Sequence, residues 1–137
     1  MASSYIVSLP GGATVNVQAF ANAAYTQTVT IQPPSGTSGG NAVFSGSGEN
    51  NTTQKLTTQG FLTTNTNAWP SFKVPGGSGT NQPYQVSVSA NNQPSSVVGQ
   101  VLTLQPSGNI VLGFVSSEDS TDQDWNDSIV IFTAYIP

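Results

Sequence analysis

The sequence predicts an all-β fold, an antiparallel sandwich or barrel built from short strands. Three observations carry that expectation. Apolar and polar residues alternate along most of the chain, no stretch shows the apolar stripe of an amphipathic helix, and clusters of turn-forming residues separate the alternating segments. The first beat is Val15, Val17, Ala19, followed by Val29 and Ile31. It returns at Tyr84, Val86, Val88, at Val101 to Leu104, at Ile110, Leu112, Phe114, and at Ile129, Ile131, Thr133, Tyr135. These positions are rich in β-branched and aromatic side chains, which fit a pleated, half-buried surface. Between them stand Pro10-Gly11-Gly12, Pro33-Pro34-Ser35-Gly36, Pro75-Gly76-Gly77, Asn91-Asn92 and Pro106-Ser107-Gly108, each with the proline, glycine or asparagine that tight turns demand.

The 137 residues suit one domain, residues 1–137, with a modest core. Its surface is unusually neutral, because 57 residues are Ser, Thr, Asn or Gln and only 8 are charged. The least regular part, about 49–83, still carries Phe61, Leu62, Trp69 and Phe72. Large apolar groups are costly to leave exposed together, so this part reads as long hairpins or an insertion and not as a linker.

What is missing removes whole chemistries. There is no Cys, His or Arg, and Lys55 and Lys73 are the only cationic side chains. Thiol and imidazole catalysis and the usual zinc or copper sites drop out. Two lysines against six acids cannot neutralise a nucleic-acid backbone, and an anionic membrane is an equally poor partner. Residues 1–10 have neither the basic region nor the apolar length of a cleavable signal, no segment approaches a membrane-spanning length, and a chain without cysteine leaves its compartment open.

Against this background the acids are concentrated. Glu118, Asp119, Asp122, Asp124 and Asp127 fall within ten residues, and only Glu49 lies elsewhere. The loop Ser117-Glu118-Asp119-Ser120-Thr121-Asp122-Gln123-Asp124-Trp125-Asn126-Asp127 is flanked by two alternating segments and therefore caps a hairpin. Carboxylates about 5 Å apart repel by roughly 1 to 3 kcal/mol at a surface-like dielectric, so the cluster calls for a counter-charge that two lysines cannot supply alone. The donors, carboxylates plus the Asn126 amide, are all hard oxygens and favour Ca²⁺. A solvated acidic turn is the plain alternative. An EF-hand is excluded, because Asp127 stands where that loop needs Gly and Thr133 where it needs the bidentate Glu. Trp125 reads as a packing anchor beneath the loop.

The run from Ser117 to Asp127, followed by a closing apolar strand, resembles the signature of the LecB-type two-calcium lectins of bacteria. Ala19-Phe20-Ala21-Asn22-Ala23-Ala24 and the stretch from Gln85 to Ser95 agree with it. The resemblance covers about 5–31 and 84–137 and implies an antiparallel β-sandwich of about nine strands, Greek-key or jelly-roll-like. It also implies a lectin, not an enzyme, in which two adjacent Ca²⁺ ions bind mannose or fucose through the sugar hydroxyls. Carried over by position, Glu118, Asp122, Asp124 and Asp127 surround one ion, and Asn22, Asp122, Asn126 and Asp127 the other. Ala23, Ala24, Asp119 and Ser120 join the sugar-binding set. The second ion also takes the C-terminal carboxylate of a neighbouring chain, here on Pro137, which implies a homodimer. Ala23, where a hydroxyl is associated with fucose, implies mannose over fucose. Tyr25 departs from the small residue expected there, and Pro137 from the usual terminal Gly. Two readings compete with the lectin: a calcium-stabilised structural or adhesion module without a sugar site, and a glycosidase. The glycosidase fares worse, because its two carboxylates should face each other across a cleft.

Overall fold

The computed structural model describes residues 2–37, 40–48, 54–59, 71–119 and 125–137. Among these residues there are twelve strands: β1 (Ser4–Pro10), β2 (Thr14–Ala21), β3 (Gln27–Gln32), β4 (Ala42–Gly46), β5 (Gln54–Lys55), β6 (Thr57–Gln59), β7 (Ser71–Lys73), β8 (Asn81–Ala90), β9 (Gln93–Pro94), β10 (Ser96–Thr103), β11 (Ile110–Glu118) and β12 (Ser128–Tyr135). No helix is present among them. The count exceeds the nine or so expected because β5, β6, β7 and β9 are only two or three residues long. Such brief pairings of Thr, Gln and Lys leave no alternation for a sequence reading to detect.

The strands form two antiparallel sheets. One has the order β1-β8-β3-β4-β6, with β9 beside β8; the other has the order β10-β11-β12-β2-β5, with β7 beside β2. In the second sheet β10, β11 and β12 run as a meander and β2 returns to lie beside β12, a Greek-key connection. Within 49–83 the described residues form short strands and the start of β8, whereas Glu49, Phe61, Leu62 and Trp69 lie outside the described residues.

The core lies between the sheets. Val15, Val17, Ala19 and Ala21 face Val29, Ile31, Phe44, Tyr84, Val86 and Val88 in one buried cluster. The sheets approach closely at Gly99, where a Cβ would stand 2.6 Å from the Tyr5 ring, and at Gly113, where it would stand 2.8 Å from Val7. Side chains at those two positions would force the layers apart.

One choice of face differs from what the two-residue beat suggests. On β11 and β12 the buried hydrophobic residues are Val111, Val115, Val130, Phe132 and Ala134, while Leu112, Phe114, Ile129, Ile131 and Tyr135 point away from the core. Both faces of these strands are apolar.

Register gathers the chemistry at one end. Ser128 pairs with Ala21 and with Ser117, and Ser96 pairs with Glu118, so Asn22, Glu118 and Asp127 emerge at the same edge of one sheet. Loop 22–26 leaves this edge and crosses to β3 in the other sheet.

Candidate metal centre

The site is built from loop 22–26, the end of β11 and the entry to β12. Asn22 donates its backbone N–H to the carbonyl of Asp127 at 3.0 Å, and Asp127 donates its own to the carbonyl of Ser117 at 3.2 Å. The first of these bonds joins residues more than a hundred positions apart in the sequence, and the second closes the acidic hairpin on itself. They place three carboxylates together: one oxygen each from Glu118, Asp119 and Asp127, all within 4.8 Å of one another. At that separation two full charges would repel by roughly 3 kcal/mol at an effective dielectric of 20.

The surroundings hold the carboxylates in place and do not disperse them. Glu118 and Asp127 are buried, at 5% and 6% exposure. The Asp119 amide donates to Asp127 Oδ2 at 2.7 Å. The Trp125 amide donates to Glu118 Oε2 at 3.2 Å. Trp125 itself is half-buried, with a left-handed backbone at φ 55°, and stands outside the core cluster. Burial pushes the Asp127 carboxyl up to about 7, and the neighbouring Asp119 and Glu118 groups add to the rise while the Asp119 amide opposes it. Without a cation this group holds its proton near neutrality.

An orphaned acceptor stands on Asn22, the residue whose backbone is bonded to Asp127. Asn22 Oδ1 is shut from solvent and has no hydrogen-bond donor. A buried amide oxygen without a partner is costly, and a cation is the partner that an oxygen beside acids can share. The donor set is all oxygen and fits a hard ion such as Ca²⁺. Lys73 pairs across from Thr14 at the far end of β2 and cannot serve as the counter-charge.

Of the residues that the sequence singled out, the fold brings together Asn22, Ala23, Ala24, Glu118, Asp119, Asn126 and Asp127. Ser120, Asp122 and Asp124 lie outside the described residues. Pro137 is exposed at the opposite end of β12, roughly 30 Å along the strand from Asp127 at about 3.4 Å per residue, so it does not reach its own chain's site.

Sequence reasoning missed Gln27. Its side chain is fully buried and bonded at both ends: Nε2 donates to the Tyr25 carbonyl at 3.2 Å and to Asp119 Oδ2 at 3.0 Å, and Oε1 accepts from Ser128 Oγ at 3.0 Å. The available signal was its place in the beat Gln27, Val29, Ile31, where a polar residue occupies an inward position.

Known proteins share this fold. A solved high-affinity mannose-binding lectin of Ralstonia solanacearum superposes with a TM-score of 0.67 at 29% identity, covering 93% of each chain. A Chromobacterium violaceum lectin, solved in complex with α-methyl-fucoside, gives 0.67 at 30% identity with the same coverage. The C-terminal domain of a Burkholderia cenocepacia lectin gives 0.66 at 26% identity, covering 97% of each chain. A search of curated proteins returns no match. The sequence model of the fucose-binding lectin II (PA-IIL) family matches residues 7–136. Family and neighbours alike are lectins, which bind carbohydrate without altering it, and the glycosidase reading falls. Over nearly its whole length, this chain belongs to the fucose-binding lectin II (PA-IIL) family of carbohydrate-binding lectins.

Proposed function

We propose that residues 1–137 form one calcium-dependent lectin domain that binds mannose in preference to fucose through two adjacent Ca²⁺ ions. The observation that carries this reading is the cluster of Glu118, Asp119 and Asp127 carboxylates, joined through the Asp127 backbone to Asn22, whose buried Oδ1 has no partner. Asn22, Glu118, Asp122, Asp124, Asn126 and Asp127 would hold the ions, with Asp122 and Asp127 shared between them. Bound Ca²⁺ supplies open coordination positions that neutral vicinal hydroxyls of a sugar can fill. Ala23, Ala24, Asp119 and Ser120 border that sugar.

The sugar class follows from the relatives, one named for mannose and one solved with a fucoside. Preference within it rests on Ala23, whose side chain can neither donate nor accept. A hydrogen bond of the kind a serine would add there is worth about 0.5 to 1.5 kcal/mol, up to roughly tenfold in affinity.

The active unit is a homodimer in which the carboxylate of Pro137 of the partner subunit completes the second ion's ligands. Two features support it. Pro137 lies at the opposite end of β12 from its own site, and the outer face of β10 to β12 exposes Val98, Leu102 and Phe114, the last opposite Gln100 between the other two, with Tyr135 further along β12. The outer face of the other sheet is mostly Thr, Ser and Gln, as at Thr28, Thr30, Gln85, Ser87 and Ser89, with Ile6 on β1 exposed among them. An apolar face without charge suits a second copy of itself.

Calorimetry with methyl α-mannoside and methyl α-fucoside, in Ca²⁺ and after EDTA, tests the reading. Mannoside should bind more tightly, and chelation should abolish both. Binding that survives EDTA, or a tighter fucoside, would overturn it. If neither sugar binds in saturating Ca²⁺ while the ion still raises the melting temperature, the structural module is the better description.

A further inference from the structure

We infer that Tyr25 is an aromatic platform for the second residue of a bound glycan, so that the site selects an α-linked oligosaccharide over its terminal monosaccharide. This inference rests on the sugar site proposed above.

Tyr25 is the most exposed large hydrophobic residue described, at 59%. Most of the others lie on the outer faces of strands, whereas Tyr25 stands in loop 22–26, at the end of the sandwich that carries the acids. The loop's backbone is tied down along its length. Asn22 N–H donates to the Asp127 carbonyl, the Ala23 carbonyl accepts from Gly48, and the Thr26 carbonyl accepts from Asn91, each at 3.0 Å. The Tyr25 carbonyl accepts from Gln27 Nε2 at 3.2 Å, and that same nitrogen donates to Asp119 Oδ2 at 3.0 Å. One buried amide nitrogen therefore separates the backbone of the exposed ring from a carboxylate of the cluster.

That arrangement divides the labour. Hydroxyls of the terminal sugar meet the ions and the carboxylates, which recognise polar groups. The Tyr25 ring, exposed in the loop that begins at Asn22, offers a flat apolar surface, and the face of a pyranose that presents C–H groups is its natural complement. Tyrosine has two side-chain torsions, so holding it against a ligand costs little conformational entropy. Anchoring of the loop before binding lowers that cost further. A monosaccharide seated on the ions leaves the ring in water, and the next residue of an α-linked chain is the part that can cover it.

The test compares methyl α-mannoside with its α-linked mannobiosides by calorimetry in Ca²⁺, on the native chain, Tyr25→Ala and Tyr25→Phe. At least one mannobioside should bind the native chain about three- to tenfold more tightly than the monosaccharide, the gain expected of one aromatic contact. Tyr25→Ala should erase that gain and leave monosaccharide affinity unchanged, and Tyr25→Phe should keep it. An unchanged ratio in Tyr25→Ala, or tighter mannobioside binding by that variant, would overturn the platform while the site itself stood. Absence of monosaccharide binding by the native chain would overturn the site, and the platform with it. Because Tyr25 is exposed, both variants are expected to fold.

Discussion

The amide of Gln27 donates to the carboxylate of Asp119 at 3.0 Å, across 92 residues of sequence and from one sheet to the other. The same side chain accepts from Ser128 Oγ and is fully buried. With the Asn22 to Asp127 backbone bond, it holds the acidic hairpin to loop 22–26. Gln27→Leu should therefore destabilise the fold by about 1 to 3 kcal/mol, the cost of leaving the Ser128 hydroxyl and the Tyr25 carbonyl unpaired. It should also weaken Ca²⁺ binding by freeing Asp119, whose amide holds the Asp127 carboxylate. Melting curves and Ca²⁺ titration on one sample separate the two effects; unaltered Ca²⁺ affinity would reduce Gln27 to a purely structural role.

Calcium should stabilise the chain by mass action. An ion that binds the folded state alone, at a hundred times its Kd, adds about 2.7 kcal/mol. EDTA after exhaustive dialysis should lower the melting temperature, and Asp127→Asn should remove most of the response. A melt indifferent to chelation would argue against a resident ion.

The raised Asp127 carboxyl makes binding pH-dependent. Its pKa without a cation is about 7, against 3.8 for an ordinary aspartate. Protonation of this group therefore favours the metal-free fold, a contribution fully present below 3.8 and lost as pH rises through about 7. Calcium requires the ionised form and must displace the proton. Calcium affinity should thus fall as pH drops below about 7, and calorimetry in buffers of different ionisation enthalpy should register proton release. Affinity that stays flat between pH 5 and 8 would contradict this coupling.

If the partner's carboxylate completes the site, residues appended after Pro137 should weaken sugar binding sharply in a protein that still dimerises. Phe114→Lys, on the exposed apolar face, should shift the assembly towards monomer. Sedimentation reads the second and calorimetry the first; full monovalent affinity in the extended chain would refute the shared ligand.

Ala23→Ser should raise affinity for methyl α-fucoside relative to methyl α-mannoside, by up to roughly tenfold for one added hydrogen bond. Paired titrations check it, and an unchanged ratio would remove Ala23 from the specificity argument.

The all-β class and the acidic loop were legible in one dimension. Alternation and turn chemistry are local properties, and five carboxylates among ten residues of a nearly uncharged chain are conspicuous without coordinates. Which face of β11 and β12 is the core was not legible. Both faces are apolar, so a beat of two describes either orientation equally well, and only packing against the other sheet buried Val111, Val130 and Phe132 and left Leu112, Phe114 and Ile131 outside. Residue type and spacing did not mark the junction of Asn22 with Asp127, which only the family resemblance suggested, and the tie through Gln27 was hidden for a related reason. A lone Asn or Gln in a chain holding 57 small or amide polar residues carries no local mark. Its meaning arises when strand register shuts its oxygen away from water or gives its amide a carboxylate to hold. Local pattern determined which segments are strands and where the charge lies. Long-range register alone decided which oxygens share a site, because proximity in space is set by pairings between strands that sequence order leaves far apart.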